Sequence, residues 1–327
     1  MKGLVTVFGG SGFVGSQIVR ALARRGLRVR VAVRRPGRGY KLRMLGDVGQ
    51  IEVVQANILD RPSIDRALEG AEGCINAVAV LYQSGRQTFD GLHVDGAIAV
   101  AQAAAAAGAR RFVQISAIGA DGASPSAYAR TKAAGEAAVR EAFASAAVIR
   151  PSVVFGPSDA FFNRFAQMAL ISPALPLIGG GATRFQPVFV GDVAAACVAA
   201  LTDPAAVGAT YQLGGPTVYT FKALMELLLK EIGRSRLLVP VPFGVAVGLG
   251  LAGDVVAATG LVAPPITSDQ VQLLRADSVV APGALGLSDL GLSPTALEPI
   301  IPTYLYRYRK GGQYAELTQA AAALPPR

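Results

Sequence analysis

An apolar run from Leu4 to Phe8 leads directly into Gly9-Gly10-Ser11-Gly12-Phe13-Val14-Gly15 and then into a helix-like stretch from Ser16 to Arg25. A strand that ends in a glycine-rich bend and opens a helix is the first step of a parallel α/β sheet. The three spaced glycines have separate tasks there. Gly9 permits the tight turn, Gly12 lets the backbone approach a pyrophosphate, and Gly15 lets the helix pack closely on the strand. The helix then points unsatisfied N–H groups and the positive end of its dipole at the ligand, so phosphate affinity comes mainly from main chain. The expected dinucleotide phosphate site is Gly9, Ser11, Gly12, Phe13, Val14 and Gly15.

The following segments continue the pattern. Leu27 to Val33, Ile51 to Gln55, Gly73 to Val80 and Arg111 to Ile115 read as strands, and Ile64 to Glu69, Gly96 to Ala107 and Ala129 to Phe143 read as helices between them. Alternation of this kind predicts a Rossmann-type, doubly wound parallel sheet with right-handed crossovers. Beyond Ala147 the pattern loosens into loops such as Leu177 to Gly181, and Val188 to Leu201 reads as a return to the first lobe. The expected division is a nucleotide lobe over 1–155 with a return segment near 184–215, a smaller discontinuous C-terminal lobe over 156–183 and 216–310, and a tail over 311–327.

Composition narrows the class. With 327 residues, 52% apolar and 38 of them glycine, the chain is long enough for a full core and a second lobe. Cys74 and Cys197 lie in apolar runs without metal-ligand spacing and read as small core hydrophobes, so neither a metal nor an oxidising compartment is expected. The first strand follows Met1-Lys2-Gly3 at once, which reads as a chain with no signal peptide and a cytoplasmic address. Lys2 and ten basic residues from Arg20 to Arg43 precede the first acid, Asp47; since the whole chain is +9, everything after Arg43 sums to −2. The basic character therefore belongs to the first β-α-β unit. Phosphate on a cofactor or lipid accounts for it, as do Arg20, Arg24 and Arg25 standing on a solvated helix face. Nucleic acid is not expected, because no recognition motif accompanies the charge.

Tyr128 and Lys132 lie four residues apart, one helical turn, and Ser116 ends the preceding strand. A lysine beside a tyrosine is expected to stabilise the phenolate and lower its pKa, while the serine holds a carbonyl or alcohol oxygen. With the glycine bend, these residues and Arg150-Pro151-Ser152-Val153-Val154-Phe155-Gly156, the chain resembles the extended and atypical short-chain dehydrogenases/reductases. The resemblance implies that Lys132 also holds the nicotinamide ribose beside Tyr128 and Pro151, that Ala77 and Val78 line the cofactor, and that Asn57 and Ile58 meet the adenine. Asn57 stands where the family usually has aspartate. At the end of the second strand the family's NAD-binding members carry an acid; here Arg34 and Arg35 replace it, and two guanidiniums suit the 2′-phosphate of NADPH.

Ser126 to Glu136, Phe155 to Asp159 with Phe162 to Ala166, and Gln186 to Asp192 are similar to a narrower family, the nucleotide-binding accessory subunits of respiratory complex I, over roughly residues 1–310. That likeness implies firmly held NADPH and contacts with other complex I subunits near the junction of the peripheral and membrane arms. It also implies a peripheral place on the cytoplasmic side of the inner membrane and a Ser116-Tyr128-Lys132 trio without independent turnover. A soluble NADPH-dependent reductase, dehydrogenase or epimerase using the same trio remains the alternative. Leu237 to Gly253 and then the stretch to Ser268 are uncharged but for Asp254, too short and too proline-rich to span a bilayer. They fit a lobe core, a protein contact or a bilayer surface, and Tyr304 to Lys310 offers rings and cations suited to anionic headgroups or to the polar end of a helix. His93 reads as packed or solvated, and Phe165 and Met168 as one apolar helix face.

Overall fold

The computed structural model describes residues 3–260 and 262–314; Met1, Lys2, Leu261 and residues 315–327 of the expected tail lie outside them. The chain opens with β1 (Leu4–Phe8), α1 (Phe13–Arg24), β2 (Arg28–Val33) and, after two 3-10 turns, β3 (Ile51–Gln55). There follow α2 (Arg61–Leu68), β4 (Ala71–Asn76), α3 (Gly96–Ala106), β5 (Arg111–Ile115), α4 (Ala127–Ala142) and β6 (Ala147–Pro151). Next come β7 (Val154–Phe155), α5 (Phe161–Ile171), β8 (Ala174–Ile178), β9 (Arg184–Phe185), β10 (Val188–Phe189), α6 (Val190–Thr202) and β11 (Thr210–Leu213). The last are β12 (Tyr219–Thr220), α7 (Phe221–Glu231), β13 (Leu237–Val241), α8 (Phe243–Thr259), α9 (Ser268–Leu273) and α10 (Pro302–Leu305).

Seven strands form one parallel sheet in the order β11-β6-β5-β4-β1-β2-β3. Its central strands bury both faces, and the pleat sends alternate residues to two cores. Val5 and Val7 join Ile18, Leu22 and Cys197 under α1 and α6, whereas Phe8 joins Ile64, Leu68, Cys74 and Phe112 under α2 and α3. Burying a side chain of that size contributes roughly 1.5–3 kcal/mol. Both cysteines are free and buried, as core packing requires.

Boundaries differ from the sequence reading in instructive places. The first helix starts at Phe13, because Gly12 takes the extended cap conformation. The fourth strand stops at Asn76, so residues 77–80 form an extended lip beyond the sheet. A π-helical turn over Asp90–Asp95 precedes α3, and turns of this type recur at functional positions.

A further core holds Phe155, Phe162, Phe221, Leu224, Leu228, Tyr304 and Tyr308, with Phe165 and Met168 packed against it. The Tyr304 hydroxyl donates to Asp159 at 2.6 Å and that of Tyr308 to Asn163 at 2.9 Å. Two of the three rings read as headgroup-facing are therefore turned inward, which corrects that expectation for Tyr304 and Tyr308; Tyr306 remains exposed. The uncharged stretch becomes β13, paired with β8, and then α8. That helix is packed inside out. Its small residues Ala246, Gly250, Gly253 and Ala257 are buried, while Val245, Leu249, Leu251 and Val255 face outward, Val255 at 70% exposure. A Cβ on Gly253 would run into the Ile266 carbonyl, so close approach to the chain leading into α9 decides the inward face. The stretch is thus not simply lobe core, and among the described residues no helix is long and apolar enough to cross a membrane.

Candidate functional site

The sheet order reverses between β1 and β4, and in open α/β sheets ligands bind outside the carboxyl ends of the strands at such a reversal. The sequence-derived site residues collect there. Gly9 takes a positive φ of 75°, and a Cβ on it would come within 2.9 Å of the Ala77 carbonyl on the neighbouring strand's extension. A Cβ on Gly15 would overlap the Gly9 carbonyl and stand 2.8 Å from Gly10 Cα. The Gly12 N–H closes the bend on the Gly9 carbonyl at 2.9 Å. No side chain caps α1, so its first-turn amides around Phe13, Val14 and Gly15 are free for an anion, with Ser11 exposed beside them. This cradle fits a dinucleotide pyrophosphate by shape as well as by dipole.

Arg34 and Arg35 follow the end of β2, both exposed, and among the described residues neither guanidinium has a hydrogen-bond or ion-pair partner. Arg30, by contrast, is committed to Glu52 at 2.9 Å and to the Glu69 carbonyl. After β3, Asn57 forms a local turn, its side-chain oxygen accepting from Leu59 N at 3.2 Å, and Ile58 is buried. The lip carries Ala77, whose N–H donates to the Phe8 carbonyl, and Val78, whose N–H donates to the Asn76 side chain. Pro151 ends β6 and accepts from Ile118 N at 2.9 Å.

On the other side of the crevice, α4 presents Tyr128 and Lys132, and Ser116 follows the last residue of β5. Ser116 is 5% exposed, and among the described residues its hydroxyl is the buried side-chain polar atom left without a hydrogen-bond partner. An unmade buried bond costs about 1–3 kcal/mol, so the hydroxyl is poised for a ligand oxygen or water. Lys132 donates to the Ile115 carbonyl at 2.7 Å, immediately before Ser116. Burial lowers its pKa from 10.5 to about 8, against the pull of Glu136. The unfolded chain thus holds the extra proton between those values, and stability rises with pH across that window. From about pH 7.5 to about 9.5 the wild type should gain about 2 kcal/mol relative to Lys132→Met, read by denaturant unfolding of both proteins.

The expectation that Lys132 makes Tyr128 more acidic is overturned. The Tyr128 pKa is pushed up to about 12, by burial first and then by the Asp269 carboxylate. His93, which the sequence left as packing, organises this wall. Its Nε2 accepts from Val80 N at 3.2 Å, so Nδ1 carries the proton, and Nδ1 lies 3.1 Å from Thr131 Oγ1. The imidazole also stands edge-on to the Tyr128 ring, with centroids 5.3 Å apart. Burial, with Lys132 close by, lowers the His93 pKa to about 3 and keeps the ring neutral. The sequence signal was faint: a lone histidine one turn ahead of a Gly-Ala-rich helix.

Fold and crevice together define a class. Residues 5–214 match the NAD dependent epimerase/dehydratase family, and the chain belongs to it. Among solved structures, an NADPH-dependent quinone oxidoreductase from Escherichia coli superposes with a TM-score of 0.71 at 20% identity, covering 92% of this chain and 99% of that one, and so shows the fold alone. Within the class the likeness is more particular. The chain is 36% identical over 325 residues to NADH dehydrogenase (ubiquinone) 1 alpha subcomplex subunit 9 of Arabidopsis thaliana, covering 95% of this chain and 80% of that protein. The mouse subunit of the same name is 34% identical over 308 residues, with 94% and 80% covered. The chain is thus a member of this complex I subunit family. A ceramide reductase of Caulobacter vibrioides is 38% identical, but over 203 residues and 62% of each chain.

Proposed function

We propose that the chain is a nucleotide-holding accessory subunit of respiratory complex I, carrying NADPH and stabilising the assembly near the junction of its peripheral and membrane arms rather than turning over a substrate. The observation that carries the reading is the 36% identity, over 95% of this chain, to a subunit 9 of complex I, beside a glycine bend whose first-turn amides can grip a dinucleotide. Membership of the subunit 9 family supports the assembly, the paired arginines support NADPH, and the outward apolar face of α8 is surface of the kind a neighbouring subunit covers. The place is peripheral, on the cytoplasmic side of the membrane. Affinity purification of the tagged chain from detergent-solubilised membranes tests this. Core subunits of the NADH:quinone oxidoreductase are expected with it, and recovery of the chain by itself from the soluble fraction contradicts the reading.

A second reading, a soluble NADPH-dependent reductase, dehydrogenase or epimerase, is favoured by the free Ser116 hydroxyl and by the likeness to the ceramide reductase. Tyr128→Phe separates the two. Under the structural reading, nucleotide content and complex level stay within about twofold of wild type. Loss of an NADPH-dependent turnover by about 10²–10⁴-fold would establish catalysis by the tyrosine instead.

A further inference from the structure

The helix that carries Tyr128 and Lys132 is fastened at its amino end by a residue from far along the chain. Asp269, on α9, accepts from Ala127 N at 2.6 Å, from Ser126 Oγ at 2.8 Å and from Tyr128 N at 3.2 Å. Ser126 is itself the N-cap, its Oγ accepting from Ala129 N at 3.2 Å, so one carboxylate organises the whole first turn of α4. A charged acceptor on first-turn amides combines charge-assisted hydrogen bonds with the favourable end of the helix dipole.

The same short helix grips α8. Asp254 of α8 accepts from Ser268 N at 3.2 Å and from Ser268 Oγ, and Gly250 and Gly253 let the two segments approach backbone to backbone. Gln270 donates to the Leu81 carbonyl at 3.3 Å, beside the lip that follows β4. Both acids of the hairpin are therefore consumed internally, one within it and the other on α4.

We propose that Asp269 is a positioning residue that fastens the α8–α9 hairpin to the nucleotide helix, so that dinucleotide occupancy and the seating of the hairpin's outward apolar face are thermodynamically linked. This rests on the nucleotide-holding reading of the same crevice. A dinucleotide engaging Lys132 and Tyr128 restricts α4. The first turn of α4 is bonded to Asp269, and α9 is locked to α8, so ordering at the crevice lowers the local opening of the hairpin. Linkage is reciprocal: a neighbouring complex I subunit seated on α8, the occupant that membership of the subunit 9 family implies, tightens the nucleotide by the same factor. The groups facing Tyr128 are Asp269 from α9, neutral His93 from the π-helical turn and the Phe89 ring.

Hydrogen exchange of the full chain with and without NADPH, followed by mass spectrometry, tests the link. In the wild type, NADPH should slow exchange over residues 4–25, 126–134, 245–258 and 266–273. In Asp269→Ala residues 4–25 and 129–134 keep their protection by NADPH, the Ala127 and Tyr128 amides exchange faster for want of their acceptor, and the hairpin loses its protection, exchanging about tenfold faster than in the wild-type complex. Asp269→Asn guards against misfolding, because it preserves the shape and removes the charge. It should weaken hairpin protection and lower the Tyr128 titration, read from the carbon-13 tyrosine resonance missing in Tyr128→Phe. Hairpin protection in Asp269→Asn equal to that of the wild type would overturn the positioning role. Equal hairpin protection by NADPH in wild type and Asp269→Ala, or protection of 4–25 with an indifferent wild-type hairpin, overturns the link alone. Absence of protection anywhere overturns the nucleotide reading and the link together.

Discussion

Replacing Arg34 and Arg35 together by alanine lowers the affinity for NADPH by roughly 10²–10⁴-fold while changing that for NADH by less than about threefold. Hydrogen bonds to charged groups contribute about 1.5–3 kcal/mol each, and every 1.4 kcal/mol is tenfold, so two guanidiniums on one phosphate account for that range. The structure makes the comparison clean. Both side chains are exposed and among the described residues neither is engaged by a neighbouring acid, so their removal orphans no partner there and carries little folding cost. Calorimetric titration of the nucleotide-stripped protein with each cofactor reads the result. Equal losses for the two cofactors would reject the 2′-phosphate assignment.

Gly15→Ala is the second large effect, and it should abolish nucleotide retention for both cofactors alike. The added methyl would meet main chain, the Gly9 carbonyl and Gly10 Cα, rather than the yielding tip of a side chain. Relieving it means opening the bend or lifting α1 from β1. Overpacking of this kind costs about 1–3 kcal/mol, and the strain falls on the amides that grip the phosphates, so affinity drops by about a hundredfold. The melting temperature and the nucleotide extracted from the purified variant report the two consequences separately. A variant that still retains stoichiometric nucleotide would show that the bend does not meet the pyrophosphate.

What was legible in the sequence is what depends on neighbours along the chain. The glycine bend could be read because turn chemistry is decided within seven residues, and the alternation of strands and helices gave the parallel sheet because a doubly covered strand and an amphipathic helix have different periods. The spacing of Tyr128 and Lys132 likewise placed both on one helical turn. The acidity of Tyr128 was not legible. It depends first on burial among other elements and then on a carboxylate 141 residues later. His93 was missed for the same reason, because its partners lie on two other elements and a π-helical turn sets its direction.

The apolar stretch after Arg236 shows a different limit. α8 is apolar on every side, so hydropathy alone names no inward face; the signal was the stripe of small residues at 246, 250, 253 and 257, which marks where another backbone comes close. Tyr304 and Tyr308, four apart, carried a comparable signal of one shared helical face, and the cations around them obscured it.

The proposed NADPH site rests on main-chain amides of the opening bend and on the Arg34–Arg35 pair in the assembled subunit. Denaturing extraction of the native-gel band that contains this chain and the NADH:quinone oxidoreductase core, with quantification of the released nucleotides by mass spectrometry, tests it most directly. NADP(H) is expected in about a one-to-one ratio with the chain, with little NAD(H) beyond what the core without this chain releases. A band containing the chain and no NADP(H) would contradict it.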